Sequence, residues 1–253
     1  MFRKILGAVV AGAAMMTAMP VKATTYIITY TGHVSSGRDF SGLFGAPNTD
    51  LSGLAYKSVY TLEYPLPGAI AYSDGIKTST KGGSYYGTPT PMSAVFTLKN
   101  TNIYFTGSNL SESFNINGLG NPYQYGYDQI WHLVNDHYGV VNNYSSNKYM
   151  LNYIFNNVNN ITNVSGLPVS LDYTAGSSDF ARGEFADYIL DNVGGRFIYG
   201  ASAILQPEHI TIAPFSSGAV PEPSTWVMMI IGLGAVGGAM RGGVHRRERA
   251  AQL

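Results

Sequence analysis

Residues 24–32 read TTYIITYTG, with Tyr26, Ile28 and Tyr30 on one side of a period of two and threonines dominating the other. That alternation predicts a half-buried strand. A turn-rich stretch, SGRDFSGLFGAPNTD, covers residues 36–50. The alternation then resumes in LSGLAYKSVYTLEY, where Leu54, Tyr56, Ser58, Tyr60 and Leu62 fall in register until Pro65 and Pro67 stop it. Further on, SAVFTLKNTNIYFTG predicts two short strands around the turn Lys99-Asn100-Thr101-Asn102. LSESFNING and YQYGYDQIWHLV read as two more strands, and the Gly-Gly pair at 194 and 195 launches RFIYGASAIL, which Pro207 separates from EHITIA. About nine to eleven strands with frequent turns predict an all-β domain, a β-sandwich of jelly-roll-like kind.

Two stretches stay open between alternatives. Residues 142–163 hold nine asparagines in twenty-two positions, which fits a surface strand between polar loops or a short helix. In residues 172–191, Phe185, Tyr188 and Ile189 have helical spacing, yet ARGEFADYIL suits a strand paired with GGRFIYGASAIL equally well.

The ends follow a different pattern. Met1-Phe2-Arg3-Lys4 is basic, residues 5–19 are uncharged, and Val21 and Ala23 are small. This order predicts a secretory signal, residues 1–23, cleaved after Ala23. Near the other end, residues 226–240 carry no charge; at about 1.5 Å of rise per residue they cover only about 22 Å. With flanking Ser224, Thr225 and Arg241 to Gly243 they suffice for a thin transmembrane helix if Arg241 snorkels. Arg241, Arg246, Arg247 and Arg249 beside it place this end on the cytoplasmic side. The residues between the two segments then lie outside the inner membrane. Gly234 and Gly238 form a GxxxG pair that either lets two such helices approach or merely softens one.

Val220-Pro221-Glu222-Pro223-Ser224-Thr225-Trp226, followed by the apolar segment and the arginine cluster, resembles the PEP-CTERM sorting signal of Gram-negative bacteria in its PEPxxWA form. Val227 stands where that form usually has alanine, and Gly242 to His245 interrupt the basic cluster. The resemblance implies recognition by exosortase, a membrane-embedded protease. Pro221, Glu222, Pro223 and Trp226 are then the sorting and processing motif, the four arginines the cytoplasmic anchor, and residues 217–253 the sorting signal behind a domain of residues 24–216. It also implies a transient inner-membrane stage before release to the outside, and a setting of exopolysaccharide and biofilm. TYTGHVSSGRDFSGLFGAPNTDLSGLAYKSVYTLEY is similar to the first mature segment of many PEPxxWA proteins, matching at Gly32, Gly37, Asp39, Gly42, Phe44, Gly45, Leu51 and Gly53. That likeness implies a β-sandwich and no catalytic residue.

Charge narrows the partners. Between residues 24 and 220, eight Lys and Arg stand against thirteen Asp and Glu, a formal charge of −5 within a chain that balances to zero. No basic stripe exists to neutralise phosphates, so nucleic acid is not an expected partner. The chain has no cysteine, which excludes disulfides, thiolate metal sites and a cysteine nucleophile.

No GxSxG elbow, P-loop, HExxH or EF-hand loop is present, and neither a catalytic residue nor a cofactor nor a metal is expected. Three weaker constellations remain. Asp172, Asp179, Glu184, Asp187 and Asp191 gather hard oxygen ligands suited to calcium or form a solvated acidic face. Trp131, His132, Asp136 and His137 lie close together, and on a helix His132 and Asp136 would be neighbours able to act as a general base; on a strand ending in a loop they would not. Tyr123, Tyr125 and Tyr127 on one face suit sugar stacking or an ordinary strand. The expectation is therefore a non-enzymatic, exported structural or adhesive protein. The alternative is a secreted carbohydrate-binding or carbohydrate-active domain, for which hydrolysis would require two facing carboxylates.

Overall fold

The computed structural model describes residues 23–119, 126–158, 160–161 and 170–215. The chain divides into two units, 1–215 and 216–253, and the second lies outside the described residues. So do the expected signal segment ahead of Ala23, the transmembrane helix and the basic tail. Among the described residues no helix is long and apolar enough to cross a membrane.

Thirteen strands make up the described part. In chain order they are β1 (Thr24–Asp39), β2 (Thr49–Asp50), β3 (Ala55–Tyr64), β4 (Ile70–Ser73), β5 (Lys77–Gly82), β6 (Met92–Leu98) and β7 (Thr101–Phe105). They continue as β8 (Leu110–Asn117), β9 (Asp128–Val141), β10 (Tyr144–Asn156), β11 (Leu171–Thr174), β12 (Phe180–Asp191) and β13 (Arg196–Pro214). The all-β expectation holds. Every strand pairing is antiparallel, and hydrogen bonding runs through one sheet in the order β4-β5-β8-β9-β10-β12-β13-β1-β3-β6-β7, with β11 on β13 and β2 on β1.

That sheet is curled. Phe96 on β6 and Phe185 on β12 are four pairings apart along the path, yet their rings stack with centroids 4.3 Å apart. Phe44 meets both of them edge-on, at 6.1 Å and 5.6 Å. The alternation read from the sequence supplies the filling: Ile28, Tyr30, Tyr60 and Leu62 from β1 and β3 join Ile130, Met150, Ile154 and Leu205 in one buried cluster. Burying each such side chain contributes about 1.5–3 kcal/mol.

The interior also holds a polar seam. Asn152, fully buried, accepts a hydrogen bond from the Tyr56 hydroxyl at 3.0 Å and donates to the Tyr60 hydroxyl at 2.9 Å and to Ser58 Oγ at 3.2 Å. It thereby ties β10 to β3 across the curl, and its pairing removes the cost of burying an amide.

Some open readings are decided and some expectations change. Of the two readings of residues 142–163, the strand is the one formed: β10 takes thirteen of them, paired with β9 on one side and β12 on the other, and holds Asn147, Asn152 and Asn156. Of the two readings of residues 172–191, strand pairing with β13 is the one formed. Pro207 does not separate two strands. It lies inside the nineteen-residue β13, where the register slips opposite Gly32 and a bulge accommodates the missing N–H. A side chain at residue 32 would meet the Gln206 carbonyl oxygen at 2.0 Å, so the crossing demands glycine. The turn between β6 and β7 is two residues, with Leu98 opposite Thr101 and Lys99 at φ 53°, tighter than the four-residue turn expected.

Candidate functional site

The segment similar to other exported proteins builds structure. Asp39 is fully buried at the end of β1, where its Oδ1 accepts the N–H groups of Gly42 and Leu43, both at 2.8 Å, and its Oδ2 that of Phe44 at 2.6 Å. Gly42 sits at φ +89°, the left-handed region that glycine enters freely. The loop so wrapped drives Phe44 into the core, while Lys99 Nζ donates to the Phe44 carbonyl at 3.2 Å.

The His132 constellation comes apart because β9 is a strand. His132 points inward, 1% exposed, with Nδ1 and the Tyr30 hydroxyl 2.8 Å apart. Burial pulls its pKa down to about 3 and pushes the Tyr30 hydroxyl well above its ordinary range. The imidazole is therefore neutral and sealed from solvent. Asp136 is engaged elsewhere: its Oδ1 accepts from the N–H groups of Thr106 and Gly107, each at 2.7 Å, and from Thr106 Oγ1 at 2.8 Å, with Lys148 Nζ 3.4 Å from Oδ2. His137 is exposed. No His–carboxylate dyad forms between residues 132 and 136.

The five acidic residues are dispersed as well. Asp172 meets His209 Nε2 at 2.6 Å. Asp179 accepts from the Tyr173 hydroxyl at 2.8 Å and from Asn156, and Asp191 accepts the N–H groups of Val193 and Gly194 in the β12–β13 turn. Asp187 is raised from its ordinary value by burial, offset by Lys148 and reinforced by Asp136. Among the described residues no three His, Asp or Glu side chains converge as a metal would need.

Of the three tyrosines, Tyr123 and Tyr125 lie outside the described residues; Tyr127 packs on Phe155 at 4.9 Å. The aromatic feature that forms instead runs across strands. On the outer face, Phe114 of β8, Trp131 of β9, Tyr153 of β10 and Phe180 of β12 make a ladder with centroids 4.9, 5.9 and 5.8 Å apart. The first two pairs are near parallel, at 29° and 24°, so these rings cover one another's faces and act as cladding for the sheet.

A hollow opens beside this ladder. Ala186 of β12 is an outward-facing position, flanked in register by Tyr149 of β10 and Ser202 of β13. Glu184 and Tyr188 stand two residues away on the same face. One small residue among large ones leaves a cleft of about 370 Å³ that also reaches Ser36 and Phe197. Among the described residues Glu184 is the only carboxylate lining it; Oε2 accepts from the Tyr149 hydroxyl at 2.8 Å and Oε1 from Arg182 Nη2 at 2.8 Å. Burial, and then donation to Glu184, push the Tyr149 hydroxyl upward in pKa, so it remains a donor. Phe197 is held by Phe40, stacked at 4.0 Å, and by Tyr188, edge-on at 5.0 Å. Sequence singled out Glu184 only as one of five acidic residues and did not point to this cleft, since the register of four strands around one alanine makes it.

Beyond the core, the paired ends of β9, β10, β12 and β13 form an apron with apolar side chains in the open, including Tyr138 and Val141, each 68% exposed, and Val193, 75% exposed.

The described residues thus define an all-β domain stitched by buried polar contacts. The chain carries the PEP-CTERM protein-sorting motif: a family model of that description matches residues 219–247. The match contains Pro221, Glu222, Pro223, Trp226, Arg241, Arg246 and Arg247, and stops short of Arg249. Such a motif is a sorting signal for exosortase, and it marks the chain for export through a membrane-anchored sorting step. No curated protein and no solved structure matches the chain.

Proposed function

We propose that this chain is delivered to the cell surface or extracellular matrix, loses its signal after Ala23 and is processed by exosortase near Pro221, Glu222 and Pro223. The domain of residues 24–216 then serves a structural or adhesive role beside exopolysaccharide in a biofilm, its curled sheet working as the jelly-roll-like sandwich of such proteins. The observation that carries this reading is the sorting motif at residues 219–247. A non-enzymatic role is supported by the side chains most suggestive of chemistry, because His132, Asp136 and Asp39 are each committed to fold-holding partners. An adhesive role is supported by the apron, whose exposed aromatic and branched residues suit contact with a partner surface. Replacing Pro221, Glu222 and Pro223 together by alanine is expected to leave the full-length form in the inner membrane and to lower the extracellular fraction at least about tenfold, a differential of roughly 1.4 kcal/mol in recognition. Unchanged release of the triple variant overturns the assignment of these residues.

A second reading, carbohydrate binding by the exported domain, is favoured by the cleft around Ala186, where aromatic walls, two serine hydroxyls and a held carboxylate converge.

A further inference from the structure

We infer that the cleft over Ala186 is a subsite for one ring of a neutral polysaccharide; this rests on the carbohydrate-binding reading and specifies its place and ligand class. Three features carry it.

The first is shape. Ala186 is 2% exposed although it points to the outer face, because Tyr149, Glu184, Tyr188 and Ser202 surround it. A cleft of about 370 Å³ lies within the range of small-ligand sites. The second is rigidity. Tyr188 and Phe197 brace each other at 87° and Phe40 backs Phe197, so the aromatic wall needs little ordering when a ligand arrives. The third is hydrogen-bonding capacity. An ionised carboxylate offers about four acceptor positions; Tyr149 and Arg182 occupy two at Glu184, leaving the rest for hydroxyl donors. Ser36 and Ser202 add two hydroxyls to the lining. Aromatic side chains in the wall, beside a fixed acceptor and hydroxyls, match a pyranose, which presents C–H on its faces and O–H at its edge.

Charge selects the class. The cleft's carboxylate, and the formal charge of −5 between residues 24 and 220, disfavour uronates and sulfated sugars. The ladder does not compete as the primary contact, since the faces of Phe114, Trp131 and Tyr153 are turned to each other.

The test uses the full-length protein and saturation-transfer NMR with cellohexaose, maltohexaose, mannohexaose and, as the anionic contrast, hexagalacturonate. At least one neutral hexamer is expected to bind with a Kd in the millimolar range or tighter. Ala186→Leu, which fills the hollow, and Glu184→Gln, which adds no bulk, are each expected to weaken that binding by about tenfold or more. Should a neutral hexamer bind and Glu184→Gln leave its affinity unchanged in a protein of normal circular dichroism, the cleft is the wrong place while carbohydrate binding stands. Binding of hexagalacturonate alone overturns the neutral ligand class. No binding of any hexamer at about 10 mM, roughly tenfold above a millimolar Kd, overturns both the subsite and the carbohydrate reading.

Discussion

Asp39→Ala is expected to destabilise the fold by roughly 3 kcal/mol or more, since three backbone N–H groups lose a charged acceptor in a buried setting and each unsatisfied donor costs about 1–3 kcal/mol. The donors are those of Gly42, Leu43 and Phe44. Their release also frees the loop that sets Phe44 edge-on against the stacked rings of Phe96 and Phe185, so loss of packing adds to loss of hydrogen bonding. Asp39→Asn keeps one carbonyl oxygen for Gly42 and Leu43 and is expected to cost about half as much. Urea unfolding followed by circular dichroism reads both. A loss below about 1 kcal/mol for Asp39→Ala, the worth of a single ordinary hydrogen bond, contradicts the bracing role.

The second large effect concerns acid. His132 is neutral in the fold, with a pKa near 3, whereas the unfolded chain's imidazole titrates near 6.5. Below pH 6.5 the unfolded state binds a proton that the folded state refuses, so stability rises with pH in this window and is lost as pH falls. The slope is about 1.4 kcal/mol per pH unit. Between pH 6.5 and 4.5 the wild-type protein is expected to lose about 2–3 kcal/mol through this one group. His132→Gln, lacking a titrating ring, is expected to be less stable at pH 7 because the Tyr30 contact is disturbed, yet to lose less stability than the wild type as pH falls, by the amount this ring supplies. Denaturant unfolding of both proteins at half-unit pH steps isolates the term, since the carboxylates common to both cancel in the difference. Parallel curves contradict the assignment of a sealed, uncharged His132.

These residues show what a sequence yields and what it withholds. The tail was legible because its information is linear: Pro-Glu-Pro, an apolar run and arginines act in the order in which they occur. The strands at residues 24–32 and 54–62 were legible because a half-buried strand writes its period of two into the chain. The asparagine-rich β10 stayed open between strand and helix, because the contacts that decide it, from Asn152 to Tyr56, Ser58 and Tyr60 across the curl, are not local. The His132–Asp136 pairing depended on helical geometry. In a strand, residues four apart are separated by about 13 Å along the chain axis, and each found a different partner. Pro207 reads as a breaker only until Gly32 is placed opposite it. The cleft was illegible for a further reason: its floor is one alanine, and the neighbours that give the alanine meaning come from strands 37 and 16 residues away in sequence, at Tyr149 and Ser202. Glycines and aspartate in the segment around Asp39 were visible as a pattern, but only the three converging N–H groups show that the pattern encodes a folded loop.

Sorting by the carboxy-terminal tail is the claim on which the biological setting rests, and it is tested most directly by the termini of the native protein. Mass spectrometry of the protein from its producing cell, with and without a functional exosortase, is expected to find Thr24 as the first residue in both. It is also expected to find a new carboxy terminus near Pro221 to Pro223 only where the exosortase is present. Recovery of the same intact Leu253 terminus from cells with the active protease, or tail loss that is equal in its absence, contradicts exosortase sorting of this chain.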